Sequence, residues 1–447
     1  MRETQEQTES EKRSAETDRR YEQAKEILPG GTQLLSKRAE MYAPEQWPAY
    51  YSEADGVRVT DLDGNVYVDM SIMGVGSCVL GYGDDDVDAA ARRAIDEGVM
   101  STLNTPYEVD LAETLLDMHD WADMVRYGRP GGETMAMAVR LARASTESET
   151  VAFCGYHGWH DWYLAANLET EENLEGHLLP GLDPAGVPQS LEGTSKPFAY
   201  NHLEELESIA ASNDLGAVVL EPIRYKTPDD GFLEGVQEIA EREGAPLIVD
   251  EITAGFRECP AGYHQMLPIE PDVVVYGKAI GNGYPMAAVV GKEHVMDHAQ
   301  ESFISSTFWT ERIGPAAALA TIEKFRNENV DDHLVAIGER ITEGWTDLAA
   351  DHGLAIKTKG LKPLTTFELK AGEAQAATTL FTQEMLKRGY LAGNSVYVSY
   401  AHTPEIVDEY LEAVDEVFDI VADAIESDSV HNQLEGPVAH SKFERLN

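Results

Sequence analysis

The sequence predicts an α/β protein: a mostly parallel, doubly wound sheet with a smaller α+β domain built from the N- and C-terminal segments. Three observations carry this. Short apolar runs, mostly β-branched, recur along the middle of the chain, as strands buried on both faces do. The segments between them are long enough for crossover helices. The 447 residues, 43% of them hydrophobic, suffice for one large unit and a smaller one.

In chain order, residues 1–28 mix charge and alanine at helical spacing and read as an exposed helix or a disordered arm. "YYSEADGVRVTDLDGNVYVDM" (50–70) alternates apolar and polar residues around "DLDGN", a hairpin signal. These elements make an N-terminal segment, 1–75. A large domain follows over 76–320. In it "WADMVRYG" precedes the helix "ETMAMAVRLARAS", and "SETVAFCGY", "LGAVVLEPI", "APLIVDEI" and "DVVVYGKAI" read as successive buried strands. Residues 321–447 are richer in helix, including "PEIVDEYLEAVDEVFDIVADAIES", and form the C-terminal part of the small α+β domain. There is no internal repeat and no Pro- or Ser-rich linker.

The chain carries 80 Asp and Glu against 34 Lys and Arg, a formal net charge of −46. The excess is dispersed, as in "YGDDDVDAA" and "VQEIAEREG", rather than gathered in a tail. Such a surface repels phosphates and argues against nucleic acid as a partner. Its dispersal is the pattern of a protein from a high-salt cytoplasm. No apolar stretch approaches the ~20 residues of a membrane span. "MRETQEQTESEKRSAETDRR" lacks the apolar core of a secretory signal, so a cytoplasmic address is expected. Cys78, Cys154 and Cys259 lie far apart and suggest neither a disulfide framework nor a zinc site.

In open parallel sheets ligands bind beyond the carboxyl ends of the strands. Three consecutive strand candidates place an ionisable group there: Glu221, Asp250 and Lys278, each one crossover after the last. Upstream, "RPGGETMAMAVRLARA" sets Gly131 and Gly132 at the mouth of a helix, where backbone N–H groups can close on a phosphate. An ordinary glycine turn before a helix reads the same way. No "GK[ST]" follows, and the glycine spacing is not that of a dinucleotide fingerprint. A phosphate, a carboxylate and a lysine at one sheet edge fit pyridoxal 5′-phosphate (PLP), which needs a lysine for its Schiff base and an acid on its pyridine nitrogen. Asp250 would keep that nitrogen protonated. Lys278 would hold the aldehyde and then shuttle a proton.

The pair "LIVDEITAGFR" and "YGKAIGNGYP" resembles the class III (ω-type) aminotransferases of fold type I, close to the glutamate-1-semialdehyde aminotransferase branch. The resemblance runs from "LPGGTQLLSKR" to "SYAHTPEIVDEYLEA". It implies Asp250 as the pyridinium partner and Lys278 as the Schiff-base lysine. "GYHGWHDW" is similar to the family's tyrosine–histidine–glycine segment, which implies Tyr156 over the cofactor ring, and "VVLEPI" matches its Glu-Pro element at Glu221. "SSTFWTERIGPAAALATI" resembles the segment whose threonine, here Thr307, reaches the phosphate of the neighbouring subunit, which implies a homodimer with shared sites.

Other readings compete. Tyr156 suits a core aromatic, and Glu221 suits a local partner of Arg224. His157, His160 and Asp161 suggest a metal, but no further ligand at a matching spacing supports one; His157 reads as a satisfied structural histidine near the site. The sequence also departs from the family. Pro130 and Gly132 stand where its phosphate turn has hydroxyls. "TQLLSKR" replaces the aminomutase branch's carboxylate-binding run, leaving Lys37 or Arg38 to substitute for its arginine. Asn394 stands where that branch has a gating glutamate. The expected activity is transfer of an amino group from an amine or amino acid donor to a keto acid or aldehyde by a ping-pong mechanism. The alternatives are the aminomutase, another isomerase on the same scaffold, or a non-catalytic relative.

Overall fold

The computed structural model describes residues 15–170, 173–175, 182–223 and 226–441. They divide into two compact units. The larger comprises Gly76–Val79 and Asp84–His333; the smaller takes the described residues up to Val75, Leu80–Gly83 and those from Leu334 on.

The larger unit is built on seven strands: β1 (Met124–Gly128), β2 (Thr150–Cys154), β3 (Ser195–Pro197), β4 (Leu215–Leu220), β5 (Leu247–Asp250), β6 (Val273–Tyr276) and β7 (Ala287–Gly291). Their spatial order is β1-β7-β6-β5-β4-β2-β3. The run from β3 to β6 is parallel, and β7 lies antiparallel between β6 and β1. Val218, Val219, Ile248, Val249, Val274 and Val275 are fully buried, which is why these strands show no polar alternation. The helix Gly131–Thr146 packs on the sheet and buries Met135, Ala138, Val139, Leu141 and Ala142, an apolar stripe at helical spacing.

The expected division at residue 321 falls inside a helix, Ile313–Asn327. That helix packs on Asp85–Asp96, within the larger unit, and buries Ala317, Ala318, Thr321, Ile322 and Phe325. Lys324 fixes the pairing: its Nζ donates to Asp84 at 2.8 Å and to Asp86 at 2.9 Å, at the N-terminal end of the partner helix.

In the smaller unit Tyr51–Asp55, Arg58–Asp61 and Val66–Met70 form an antiparallel meander. The Asp61 carboxylate closes its second turn by accepting from the amides of Asp63 (2.9 Å) and Asn65 (2.8 Å). Tyr390–Ala392 adds to Val66–Met70 as a parallel fourth strand, so segments from both ends of the chain share one sheet. Ile356–Lys359, Leu364–Leu369 and Ser395–Tyr397 form a second sheet. The long acidic helix Pro404–Glu426 starts at a Thr403 cap with proline in its first turn. It buries Val407, Tyr410, Val414, Val417, Phe418, Val421 and Ala424 along one stripe. The N-terminal segment is helical over Ala15–Ile27; residues 1–14 lie outside the described residues.

The ends of β5 and β6 are braced by a buried polar cluster. Glu251 continues the pairing through its amide to Val275 O (2.9 Å), and its Oε1 accepts from the His264 amide (2.6 Å) and lies 2.9 Å from His264 Nδ1. Tyr276 meets His119 Nε2 at 2.7 Å, and the His119 and His264 rings stack. Burial pushes His119 down to about 4, so the ring sits neutral in this cluster at pH 7.

Candidate active site

The strand order sets β4, β5 and β6 side by side and parallel, so the residues that follow them stand along one edge. Glu221 follows β4, Asp250 closes β5, and Lys278 comes two residues after β6. Asp250 is 3% exposed and engaged at both oxygens. Its Oδ2 lies 2.8 Å from His157 Nδ1, and its Oδ1 accepts from the Ile252 amide at 3.0 Å. Lys278 Nζ donates to Thr253 Oγ1 at 2.9 Å. The Lys278 backbone has φ +44°, a left-handed conformation that costs an L-residue about 1–2 kcal/mol. Such strain persists where surrounding contacts over-determine it, and it clusters at functional positions.

The turn after β5 joins these groups to the glycine turn. Ile252 fills the space left by two missing side chains: a Cβ at Gly131 would fall 2.6 Å from Ile252 Cδ1, and one at Gly277 3.3 Å from Ile252 Cγ2. Gly131 therefore lies beside the backbone that carries Lys278. At the mouth of the helix Gly131–Thr146 the amides of Glu133 and Thr134 return to Pro130 O (3.1 and 3.4 Å). Those of Gly131 and Gly132 meet no protein acceptor among the described residues. Two unused N–H groups at a helix N-terminus make an anion site.

Tyr156 follows the end of β2. Its amide donates to Glu221 Oε2 at 3.0 Å, while the Glu221 amide donates to Cys154 O at 3.1 Å. Glu221, 6% exposed, thus clamps the turn that presents Tyr156. Arg224, the partner suggested by sequence, lies outside the described residues. The Tyr156 ring meets Tyr163 edge-on at 5.8 Å.

Glu221, Tyr156, Asp250, Lys278, Gly131 and Gly132 therefore share one sheet edge. Thr307 stands on an exposed turn, Thr307–Thr310. That turn is tethered to the glycine turn of its own chain: Trp309 Nε1 donates to Glu133 Oε2 (3.0 Å), and Arg129 Nη2 donates to the carbonyls of Trp309 (3.1 Å) and Glu311 (2.9 Å). In the smaller unit Arg38 is buried, and the Asn394 amide donates to Phe367 O at 3.0 Å.

Sequence reasoning missed Ile252 and Thr253, and it read His157 as structural without naming its partner. The adjacency of His157 to Tyr156 was the available signal. Among the described residues no group of three or more His, Cys, Asp or Glu is arranged to hold a metal ion.

The family model for class III aminotransferases matches residues 41–425. The chain belongs to the class III aminotransferases. It is similar to a 3-aminobutyryl-CoA aminotransferase from Cloacimonas acidaminovorans (strain Evry), at 29% identity over 414 residues, 89% of this chain and 95% of the relative. It is similar also to a glutamate-1-semialdehyde 2,1-aminomutase from Natronomonas pharaonis, at 29% identity over 451 residues, 89% and 98% of the two chains. The FumI protein of Sphingopyxis sp. MTA144, solved in its PLP internal aldimine form, superposes with a TM-score of 0.83 at 27% identity, covering 92% of this chain and 97% of that one. This class III aminotransferase is a PLP-dependent enzyme of fold type I. It transfers an amino group from an amine or amino acid to a keto acid or aldehyde. Among its described residues no helix is long and apolar enough to cross a membrane.

Proposed function

We propose that this aminotransferase performs net transfer between two separate substrates, with Lys278 and Asp250 as its catalytic pair. The observation that carries the pair is the joint fixation of Lys278 by Thr253 and of Asp250 by His157 at one sheet edge. The residues fit PLP: a lysine, a buried carboxylate and two unused amides at a helix mouth match its aldehyde, pyridine nitrogen and phosphate. When bound, PLP supplies an electron-withdrawing ring that weakens the substrate's Cα–H bond. Lys278 Nζ would take that proton and later return one. The Asp250 carboxylate, held by His157 and the Ile252 amide, would keep a proton on the ring nitrogen. The Gly131 and Gly132 amides would receive the phosphate oxygens and Tyr156 would cover the ring, its turn held by Glu221.

Net transfer rather than isomerisation is supported by Asn394. Its side-chain amide is engaged by a strand backbone at Phe367, which does not suit a residue that must swing to retain an intermediate. Given glutamate 1-semialdehyde alone, the enzyme is expected to make little 5-aminolevulinate, and to pass amino groups to pyruvate or 2-oxoglutarate faster. Efficient isomerisation at a rate above any such transfer would establish the aminomutase reading instead.

We propose further that the enzyme is a homodimer in which Thr307 serves the neighbouring subunit's phosphate site. Phe303 and Phe308, on either side of Thr307, are 90% and 66% exposed, an apolar patch that suits an interface. Mixing Lys278→Ala subunits with subunits damaged at Thr307 should restore activity, because each hybrid then has one intact site. No recovery, with exchange confirmed, would count against shared sites.

The dispersed charge of −46 supports work in a salt-rich cytoplasm. Screening tightens from a Debye length of ~10 Å at 0.1 M salt to ~3 Å at 1 M, relieving self-repulsion. The melting temperature is expected to climb with KCl into the molar range; a flat curve would overturn the salt reading.

A further inference from the structure

His160 Nδ1 is buried and has no hydrogen-bond partner among the described residues. A buried ring nitrogen without a partner is costly, and natural folds keep few of them. Its surroundings give the reason for this one. The ring lies against the mouth of the helix Gly131–Thr146: a Cβ at Gly132 would fall 2.8 Å from His160 Cε1 and 2.9 Å from Nδ1. Any side chain at 132 would collide with the imidazole, so glycine here is the complement of His160. Gly158, with φ +106°, lies against the Gly132 backbone from the same loop. The exposed Trp159 ring stacks on the imidazole at 4.5 Å.

Three polar groups along this turn thus have no partner among the described residues: the amides of Gly131 and Gly132 and the His160 Nδ1, which is a donor in the Nδ1–H tautomer. Pro130 and Gly132 offer no side-chain donor of their own. Resting on the reading of this turn as the phosphate site, we infer that His160 donates from Nδ1 to a phosphate oxygen of PLP, as the side-chain donor that the turn lacks. The His160 backbone is held independently, since its carbonyl accepts from the amides of Tyr163 (2.9 Å) and Leu164 (3.1 Å). Burial pushes the imidazole down, while Glu133 and Asp161 pull it up. A neutral ring suffices, because a single N–H serves the contact.

The test compares PLP with pyridoxal, which lacks the phosphate, by titrating apoenzyme and reading absorbance. In His160→Ala the preference for PLP over pyridoxal should fall by about tenfold to a hundredfold, the worth of one hydrogen bond to a charged group. The 31P resonance of bound PLP should shift as well. His160→Asn, which retains a donor of similar reach, should recover part of the preference and guards against a variant that fails to fold. Equal weakening of PLP and pyridoxal would mark a merely structural residue and overturn the inference, as would an unchanged preference with an unchanged 31P resonance. A wild-type protein that takes up pyridoxal and PLP equally would remove the phosphate-turn reading itself, and the inference with it.

Discussion

Lys278→Ala is expected to lose amino transfer while remaining folded. Proton transfer by a positioned group contributes about 10²–10⁴-fold on its own, and the covalent attachment point is lost in addition. The backbone conformation is why the fold survives. Lys278 sits at φ +44°, and alanine carries the same left-handed penalty, so no new strain arises. Glycine carries none. Lys278→Gly should therefore be as inactive as Lys278→Ala and melt at a higher temperature. Single-turnover absorbance changes on adding an amine, beside melting curves for the two variants, provide the measurement. Turnover of the alanine variant at the wild-type rate would remove Lys278 from the chemistry.

Asp250→Asn is expected to slow proton transfer by about 10²-fold or more, with binding of PLP retained. A neutral amide cannot stabilise a protonated pyridine as a carboxylate does. The hydrogen bonds also change. Asp250 offers acceptors to both the Ile252 amide and His157 Nδ1, whereas asparagine offers one acceptor and one donor. With its oxygen on Ile252, the new NH₂ faces His157. His157 then carries its proton on Nε2, 3.3 Å from Cys154 O, and accepts at Nδ1. That tautomer exchange keeps the site folded, so the loss falls on the chemistry. Pre-steady-state rates with an α-deuterated donor report it directly, and unchanged rates would place Asp250 outside the site.

The strand-end triad was legible because a continuous β-branched run seldom ends in an ionisable group unless that group has a partner or a chemical task. In "VVVYGK" and "LIVD" burial on both faces and an abrupt polar end can be read from the letters alone. The contacts that arm the triad were not legible. His157 and Asp250 stand 93 residues apart, and Lys278 and Thr253 stand 25 apart. Each pair meets only because the intervening crossovers set β2, β4, β5 and β6 in that order of neighbours. Gly131 and Gly132 were visible as a turn, but an ordinary helix start reads the same. What distinguishes it is the set of unused amides and the His160 ring against Gly132.

The sequence by itself determined where β2, β4, β5 and β6 run, which residues end them, the dispersed acidic surface and the amphipathic C-terminal helix. Local periodicity and burial set all of these. Tertiary structure decided the placement of β7 antiparallel between β1 and β6, and the assignment of Ile313–Asn327 to the larger unit. An apolar stripe on a helix fixes that it must be covered, and not by what: "AAALATIEKF" reads alike whichever partner it meets. Only the packed chain selects Asp85–Asp96 as that cover, through Lys324 and its two aspartates. Only the packed chain turns His157, Thr253 and His160 from isolated polar letters into neighbours of Asp250, Lys278 and Gly132, because side-chain contacts follow from the order of strands and not from distance along the sequence.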